Sequence, residues 1–214
     1  MSTNDEVSHQ RGLASRHSHK TAGPDLSGYG VTLSRMTDAD VDDLAAAAAA
    51  TPEDAFRWTF VARDRDVVRA TLDYYAETNR LIYVVRVEGR VVGQTGYYDL
   101  DFFLERGTPT GVEVGHTWYT PEARGTTVNP ACKLLLFTHA FETWNVDRIA
   151  MRTDVRNAVS RAAMLKLGMT FEGIRRRHMI GSDGTRRDSA YFSALAEEWP
   201  TIKQGLLARL GPSA

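Results

Sequence analysis

The chain lacks the features that mark several protein classes. Cys132 is the one cysteine among 214 residues, so no disulfide can form within the chain. No apolar run approaches the roughly 18 residues needed to span a bilayer. Asp5 and Glu6 come early and no apolar stretch follows them, so the N-terminus does not read as a signal peptide. Neither sign of charge dominates: 26 Lys and Arg face 27 Asp and Glu, which argues against a general nucleic-acid binder. The mononucleotide loop G-x-x-x-x-G-K-[ST] and the dinucleotide loop G-x-G-x-x-G are both absent. His9, His17 and His19 have no acidic or Cys partner at ligand spacing, so no metal is expected. These absences predict a soluble cytoplasmic protein with no nucleic-acid or membrane partner.

What is present is enough for one folded domain. Hydrophobic residues make up 43% of the chain, which supports a real core. Residues 1–28 are polar and aperiodic and are read as a mobile tail, with order beginning at Tyr29 and a domain over 29–214. A short strand at Val31–Ser34 precedes Thr37, an N-cap with Asp40 three residues on. The alanines 45–50 continue that helix, and Thr51-Pro52 stops it. Phe56, Trp58 and Phe60 alternate, either as packing or as the wall of an acceptor site. A helix over 64–79 follows, then strands at 81–87 and 91–99 around Glu88-Gly89-Arg90, with Gly93 and Gly96 as bulge markers. A strand over 112–119 leads through a loop to a helix whose Leu134, Phe137, Phe141 and Trp144 form one stripe. A strand over 147–153, a short helix capped by Asn157 and ended at Gly168, a hairpin with arms 170–180 and 185–195, and a helix over 200–210 complete the chain. Asp183-Gly184 predicts a type I′ turn in that hairpin. The order of elements implies an α+β or α/β fold on one central sheet.

The loop from Arg124 to Asn129 is the strongest chemical signal. It joins a strand to a helix with Pro130 in the first turn, where its missing N–H is no loss. A helix N-terminus offers unpaired N–H groups and a positive dipole end to phosphate oxygens. Gly125 allows close backbone approach. Thr126, Thr127 and Asn129 add donors, and Arg124 and Lys133 add charge. Taken alone, the segment is either a diphosphate loop or an ordinary strand-to-helix turn.

Several ordered motifs then bear on the choice. Thr117-Trp118-Tyr119, the loop Arg124-Gly125-Thr126-Thr127-Val128-Asn129, Lys133-Leu134-Leu135-Leu136, Ala140-Phe141-Glu142, Asn157 to Arg161 and Leu167-Gly168-Met169 together resemble the GNAT N-acetyltransferases. Glu172-Gly173, Arg187-Asp188 and Glu198-Trp199-Pro200 are similar to the branch that acetylates ribosomal-protein N-termini. The resemblance spans about residues 29–210. It implies a three-layer fold with a mixed, mainly antiparallel central sheet flanked by helices. It also implies acetyl-CoA as cosubstrate, a primary amine acceptor on a protein N-terminus or a small molecule, and a homodimer. It assigns Trp118, Tyr119, Arg124, Gly125, Thr126, Thr127, Val128, Asn129, Lys133 and Asn157 to the cofactor. Thr127 departs from the family, which has glycine there, and this implies an altered backbone path or a lost donor.

A neutral amine must attack the thioester, so a general base helps. Glu113 is the first choice, on the strand that flanks the acetyl group in the family. It could equally be a strand glutamate facing water. His116 is the rival. Plain alternation puts Glu113 and Thr117 on one side and His116 and Trp118 on the other, unless a bulge breaks the parity. The family's tyrosine acid falls at Met164, so Ser160 of the N-x-x-S motif takes the place beside the sulfur. Cys132 reads as a packing residue. The arginines 175, 176, 177, 186 and 187 are either a solvated run or a bias toward acidic acceptors. A non-catalytic CoA sensor and a phosphate-binding domain unrelated to CoA are the competing readings.

Overall fold

The computed structural model describes residues 23–104 and 107–211. Eight strands form one sheet in the order β1-β2-β3-β4-β5-β6-β8-β7. The strands are β1 (Leu26–Gly28), β2 (Val31–Arg35), β3 (Leu81–Val87), β4 (Arg90–Asp101), β5 (Gly111–Tyr119), β6 (Arg148–Asp154), β7 (Thr170–Ile180) and β8 (Arg186–Leu195). All neighbours run antiparallel except β5 and β6. Among the described residues five α-helices flank the sheet: α1 (Val41–Ala50), α2 (Arg65–Glu77), α3 (Val128–Thr138), α4 (Ala158–Lys166) and α5 (Trp199–Leu210). The expected mixed, mainly antiparallel sheet between helices is what the chain forms.

One face of the sheet is closed by a large core. Leu134, Phe137, Phe141 and Trp144, the predicted stripe, are all buried there with Ile149, Phe192, Trp199 and Leu206. The helix carrying the stripe runs as α3 and then widens into a π turn, His139–Thr143. The other face is covered only in part. Phe56 and residues of α1 and α2 pack with Ile82 and Val84 of β3 and Trp118 of β5, and that cluster has no member from β6, β7 or β8. The face of β5–β8 on that side is instead polar.

Two readings near the N-terminus need correction or lie out of reach. Leu26–Gly28, placed in the tail, is strand β1: Leu26 pairs with Leu33 and packs on the large core. Three residues with one apolar side chain carry too little pattern to announce a strand. The histidines 9, 17 and 19 and the rest of the tail up to residue 22 lie outside the described residues. Thr37 behaves as expected: its N–H and hydroxyl both donate to Asp40, at 2.7 and 2.8 Å.

The hairpin tip also differs from expectation. Gly184 N–H donates to Gly181 O at 3.0 Å, and Gly184 has φ 74°, but Asp183 has no positive φ. The tip is therefore an ordinary turn followed by a left-handed glycine, and not a type I′ pair. The Asp183 carboxylate explains it by accepting from Thr185 N–H at 3.1 Å and Thr185 Oγ1 at 2.8 Å.

Candidate active site

Two irregularities of β5 create the site. The parallel register with β6 covers only Gly111–Glu113 against Arg148–Ala150. Beyond it β5 continues to Tyr119 and β6 to Asp154, so the strands part at Glu113. The antiparallel register with β4 shifts between Gly96–Gly115 and Gln94–Trp118, and His116 there has φ 50°. β5 thus holds one extra residue, a bulge. Opposite, Gly93 is required: a Cβ there would lie 2.1 Å from Trp118 O.

The bulge overturns the simple alternation. Glu113, His116 and Trp118 share the partly covered face, while Thr117 points to the α3 side. Glu113 is 5% exposed, so it is not a water-facing strand glutamate. It accepts from Tyr98 OH, and Arg152 Nη1 lies 2.8 Å from its Oε2. Burial raises the Glu113 carboxyl to about 7, while Arg152 and Tyr98 pull it down. A carboxylate balanced near neutrality is suited to taking a proton.

His116 has lost that capacity. Arg80 Nη1 stands 2.8 Å from His116 Nε2. A guanidinium can only donate, so Nε2 accepts and the ring proton sits on Nδ1. Burial, with Arg80 and Arg152 nearby, lowers the imidazole to about 4. The lone pair a base would use is already engaged.

The loop has the form of an anion cradle. A single 3₁₀ turn, Pro121–Ala123, leads into it, and α3 begins at Val128. Thr126 Oγ1 donates to Ala123 O at 2.7 Å and accepts from Val128 N–H at 3.2 Å. No acceptor among the described residues engages the N–H groups of Gly125, Thr126, Thr127 or Asn129. Gly125 has φ 72°, but Thr127 has φ −74° and ψ −9°, ordinary helical values. Threonine in the glycine position therefore forces no altered path. Arg124 Nε donates to Tyr119 O at 2.8 Å, which ties the loop to the end of β5.

Several side chains assigned to the cofactor are engaged within the framework. Trp118 is buried edge-on against Phe56, with ring centroids 5.6 Å apart. Tyr119 is buried, and its hydroxyl donates to Asn129 Oδ1 at 3.2 Å, which leaves the Asn129 amide free. Lys133 does not reach the loop. It is 1% exposed, and its Nζ donates to Thr95 and Thr117 at 3.1 and 2.9 Å. Its place on the buried face of α3 decides this, and burial lowers the ammonium to about 8.

Asn157 caps α4 by accepting Ser160 N–H at 3.1 Å, and its NH₂ stays available. Ser160 is half-buried in the first turn, with no partner for its hydroxyl among the described residues. Met164 is 3% exposed in the core. Cys132 is fully buried and raised to about 11 by burial, so it is no nucleophile. Phe56 is packing, and Phe60 is exposed. Trp58 lies between the guanidiniums of Arg57 and Arg156, at 4.8 and 4.4 Å. Sequence reading missed Tyr98, Arg80 and Arg152. Arg152 lies on the predicted strand over 147–153, but only the register of β5 and β6 brings it to Glu113.

Among the described residues no group of His, Cys, Asp and Glu could hold a metal, and no helix is long and apolar enough to cross a membrane. Residues 31–170 match the acetyltransferase (GNAT) domain family. YdaF of Bacillus subtilis (strain 168), provisionally named a ribosomal N-acetyltransferase, is 27% identical over 177 residues, covering 79% of this chain and 93% of YdaF. A GCN5-related N-acetyltransferase from Brucella melitensis superposes with a TM-score of 0.80 at 27% identity, over 90% of this chain and 88% of that one. Mycobacterium smegmatis RimJ, solved with CoA-disulfide, shares the fold with a TM-score of 0.70 at 23% identity, over 86% of this chain and 92% of RimJ. The parted strands, the open loop amides and the family match converge: the chain belongs to the GNAT acetyltransferase family and is an acetyl-CoA-dependent N-acetyltransferase.

Proposed function

We propose that the protein transfers acetyl directly from acetyl-CoA to a primary amine in a ternary complex, with Glu113 as general base. One observation carries this: Glu113 is buried at the point where β5 and β6 part, held by Tyr98 and Arg152 and poised near neutrality. The loop amides of Gly125, Thr126, Thr127 and Asn129 hold the diphosphate, with Val128 starting the helix behind them. The Asn157 amide holds the pantetheine arm.

The thioester supplies an activated acetyl carbon. The neutral acceptor nitrogen bonds to that carbon to give a tetrahedral oxyanion, the proton then carried by the cationic nitrogen passes to Glu113, directly or through water, and the carbon–sulfur bond breaks as the oxyanion collapses. A backbone N–H of β5 beyond Glu113 faces the developing oxyanion. The Ser160 hydroxyl donates a hydrogen bond to the departing thiolate, and the proton taken up by Glu113 returns to solvent. Orientation in one cleft removes the cost of bringing two substrates together.

The acceptor is a protein N-terminus or a small-molecule amine, and the provisional name of YdaF favours the N-terminus. The reading places the enzyme in the cytoplasm, where acetyl-CoA is available. The expected homodimer rests on the resemblance, and light scattering on the purified chain decides it. A panel of amines and peptide N-termini, read by thiol release, tests the transfer. Turnover that falls sharply in both Glu113→Gln and Ser160→Ala supports it. Tight acetyl-CoA binding with no amine able to drive CoA release would leave the sensor reading standing.

A further inference from the structure

The five arginines of the last hairpin are not equivalent. Arg175, Arg176, Arg177 and Arg186 are exposed, whereas Arg187 is half-buried. β8 alternates so that Arg187, Ser189 and Tyr191 share the polar face with Arg152 and Asp154 of β6, which pair with Tyr191 and Ser189. That is the face of Glu113. A continuous polar floor joins them. Arg187 Nε donates to Ser189 Oγ at 3.0 Å, and His178 Nδ1 lies 3.0 Å from the same oxygen. His178 Nε2 is 3.3 Å from Tyr191 OH, Arg152 lies 5.9 Å from the Tyr191 ring centre, and Arg152 reaches Glu113.

Arg187 has no carboxylate of its own among the described residues. The nearby Asp154 is occupied by Arg156, at 3.0 Å through Nε and 2.8 Å through Nη2. Asp188 Oδ1 accepts Arg177 N–H at 2.6 Å. Arg80 likewise has no carboxylate partner among the described residues: it meets the neutral His116, Thr78 and the rings of Tyr74 and Tyr98. Around Glu113 and Asp99 there are thus three guanidiniums, on Arg80, Arg152 and Arg187, against two carboxylates. Burial lowers the Arg187 pKa, and the nearby Asp154, already paired with Arg156, offsets this only in part. A guanidinium with free terminal nitrogens, half out of water and without a counter-ion, fits a planar carboxylate well.

We propose that Arg187 anchors an anion subsite beside Glu113, and that the preferred acceptors are amines carrying a carboxylate. This rests on the acetyl-transfer reading above, in which the reacting amine stands at Glu113. Two sources of the carboxylate share this chemistry: an acidic residue next to a peptide N-terminus, or the carboxylate of a small amino acid.

The test compares kcat/KM for matched acceptors at low ionic strength. One pair is peptide amides with glutamate or glutamine after the N-terminal residue. The other is γ-aminobutyrate and its amide. The wild-type enzyme should favour the anionic member of one pair about tenfold, as expected for one hydrogen bond to a charged group. The favoured pair identifies the source. Arg187→Gln should bring the ratio toward one, and Arg187→Glu should invert it, which a merely structural arginine would not do. Thermal melts establish that both variants fold. Turnover with a ratio near one in both pairs, or a preference that survives Arg187→Gln, overturns the subsite and leaves the acetyl-transfer reading intact. No turnover on these pairs or on the wider amine panel overturns both.

Discussion

Glu113 and Arg152, 39 residues apart in sequence, meet at 2.8 Å because β5 and β6 pair in parallel through Glu113 and Ala150 before they part. The ion pair lies where the two strands part. Arg152 also touches Asp99 at 3.3 Å, so one guanidinium ties Glu113 to the end of β4. Arg152 therefore positions Glu113 and opposes the burial that would otherwise keep it protonated.

The raised Glu113 carboxyl has a consequence for stability. Its value rises from 4.5 to about 7 on folding, so the folded state holds the proton more tightly. The associated stability is full below pH 4.5 and is lost as pH rises through about 7. Glu113→Gln cannot titrate. Melting temperatures at pH 5 and pH 8 should show the variant gaining on the wild type at the higher pH. A difference that stays constant between these values would refute the shift.

Lys133 should show a linkage in its own alkaline window. Its ammonium falls from 10.5 to about 8 on folding, because the site is dry and its partners among the described residues are hydroxyls. Its contribution is present above pH 10.5 and is lost as pH falls through about 8. In Lys133→Met, Thr95 and Thr117 keep their mutual bond of 2.8 Å. Denaturant unfolding should place the variant at or above wild-type stability at pH 7 and bring the comparison back toward the wild type by pH 10.

The two loop positions should respond to different degrees. Gly125→Ala puts a side chain at φ 72° and should cost about 1–2 kcal/mol, with weaker acetyl-CoA binding. Thr127→Gly restores the family's residue at a position that is already helical, so it should not tighten acetyl-CoA binding. It should cost about 0.5 kcal/mol through backbone freedom. Calorimetric titration with acetyl-CoA settles both. Markedly tighter binding by Thr127→Gly would show that threonine does hinder the loop.

Cys132 should be silent in the chemistry. It is fully buried, and its thiol is held well above neutrality. Cys132→Ala should retain turnover and lose roughly 1 kcal/mol of stability to the small void. A maleimide should leave the native thiol unmodified until the protein unfolds. Rapid labelling with loss of activity would contradict this placement.

Sequence pattern carried far where one element decides the outcome. The stripe of Leu134, Phe137, Phe141 and Trp144 is a property of one helix, and all four are buried. Asn157 and Thr37 cap their helices through partners three residues away. What escaped depends on neighbours in space. Lys133 reads as a free charge until its side of α3 is known. Parity along β5 fails at His116, and where the bulge falls is set by the register with β4, in which Gly93 packs against Trp118 O. Glu113 was marked by its strand, but its partners Tyr98 and Arg152 come from two other strands, set by register. Arg187 differs from Arg186 because its face of β8 looks toward Glu113.

The central claim is that Glu113 accepts the proton of the amine. The most direct measurement is kcat/KM against pH, from pH 5.5 to 9, for the wild type and Glu113→Gln with one acceptor at saturating acetyl-CoA. For the wild type the account predicts a rise that bends near pH 7, where Glu113 loses its proton. For the variant it predicts a loss of about 10²–10⁴-fold together with disappearance of that bend. A Glu113→Gln enzyme that keeps the wild-type rate and the same bend would place the base elsewhere and contradict the account.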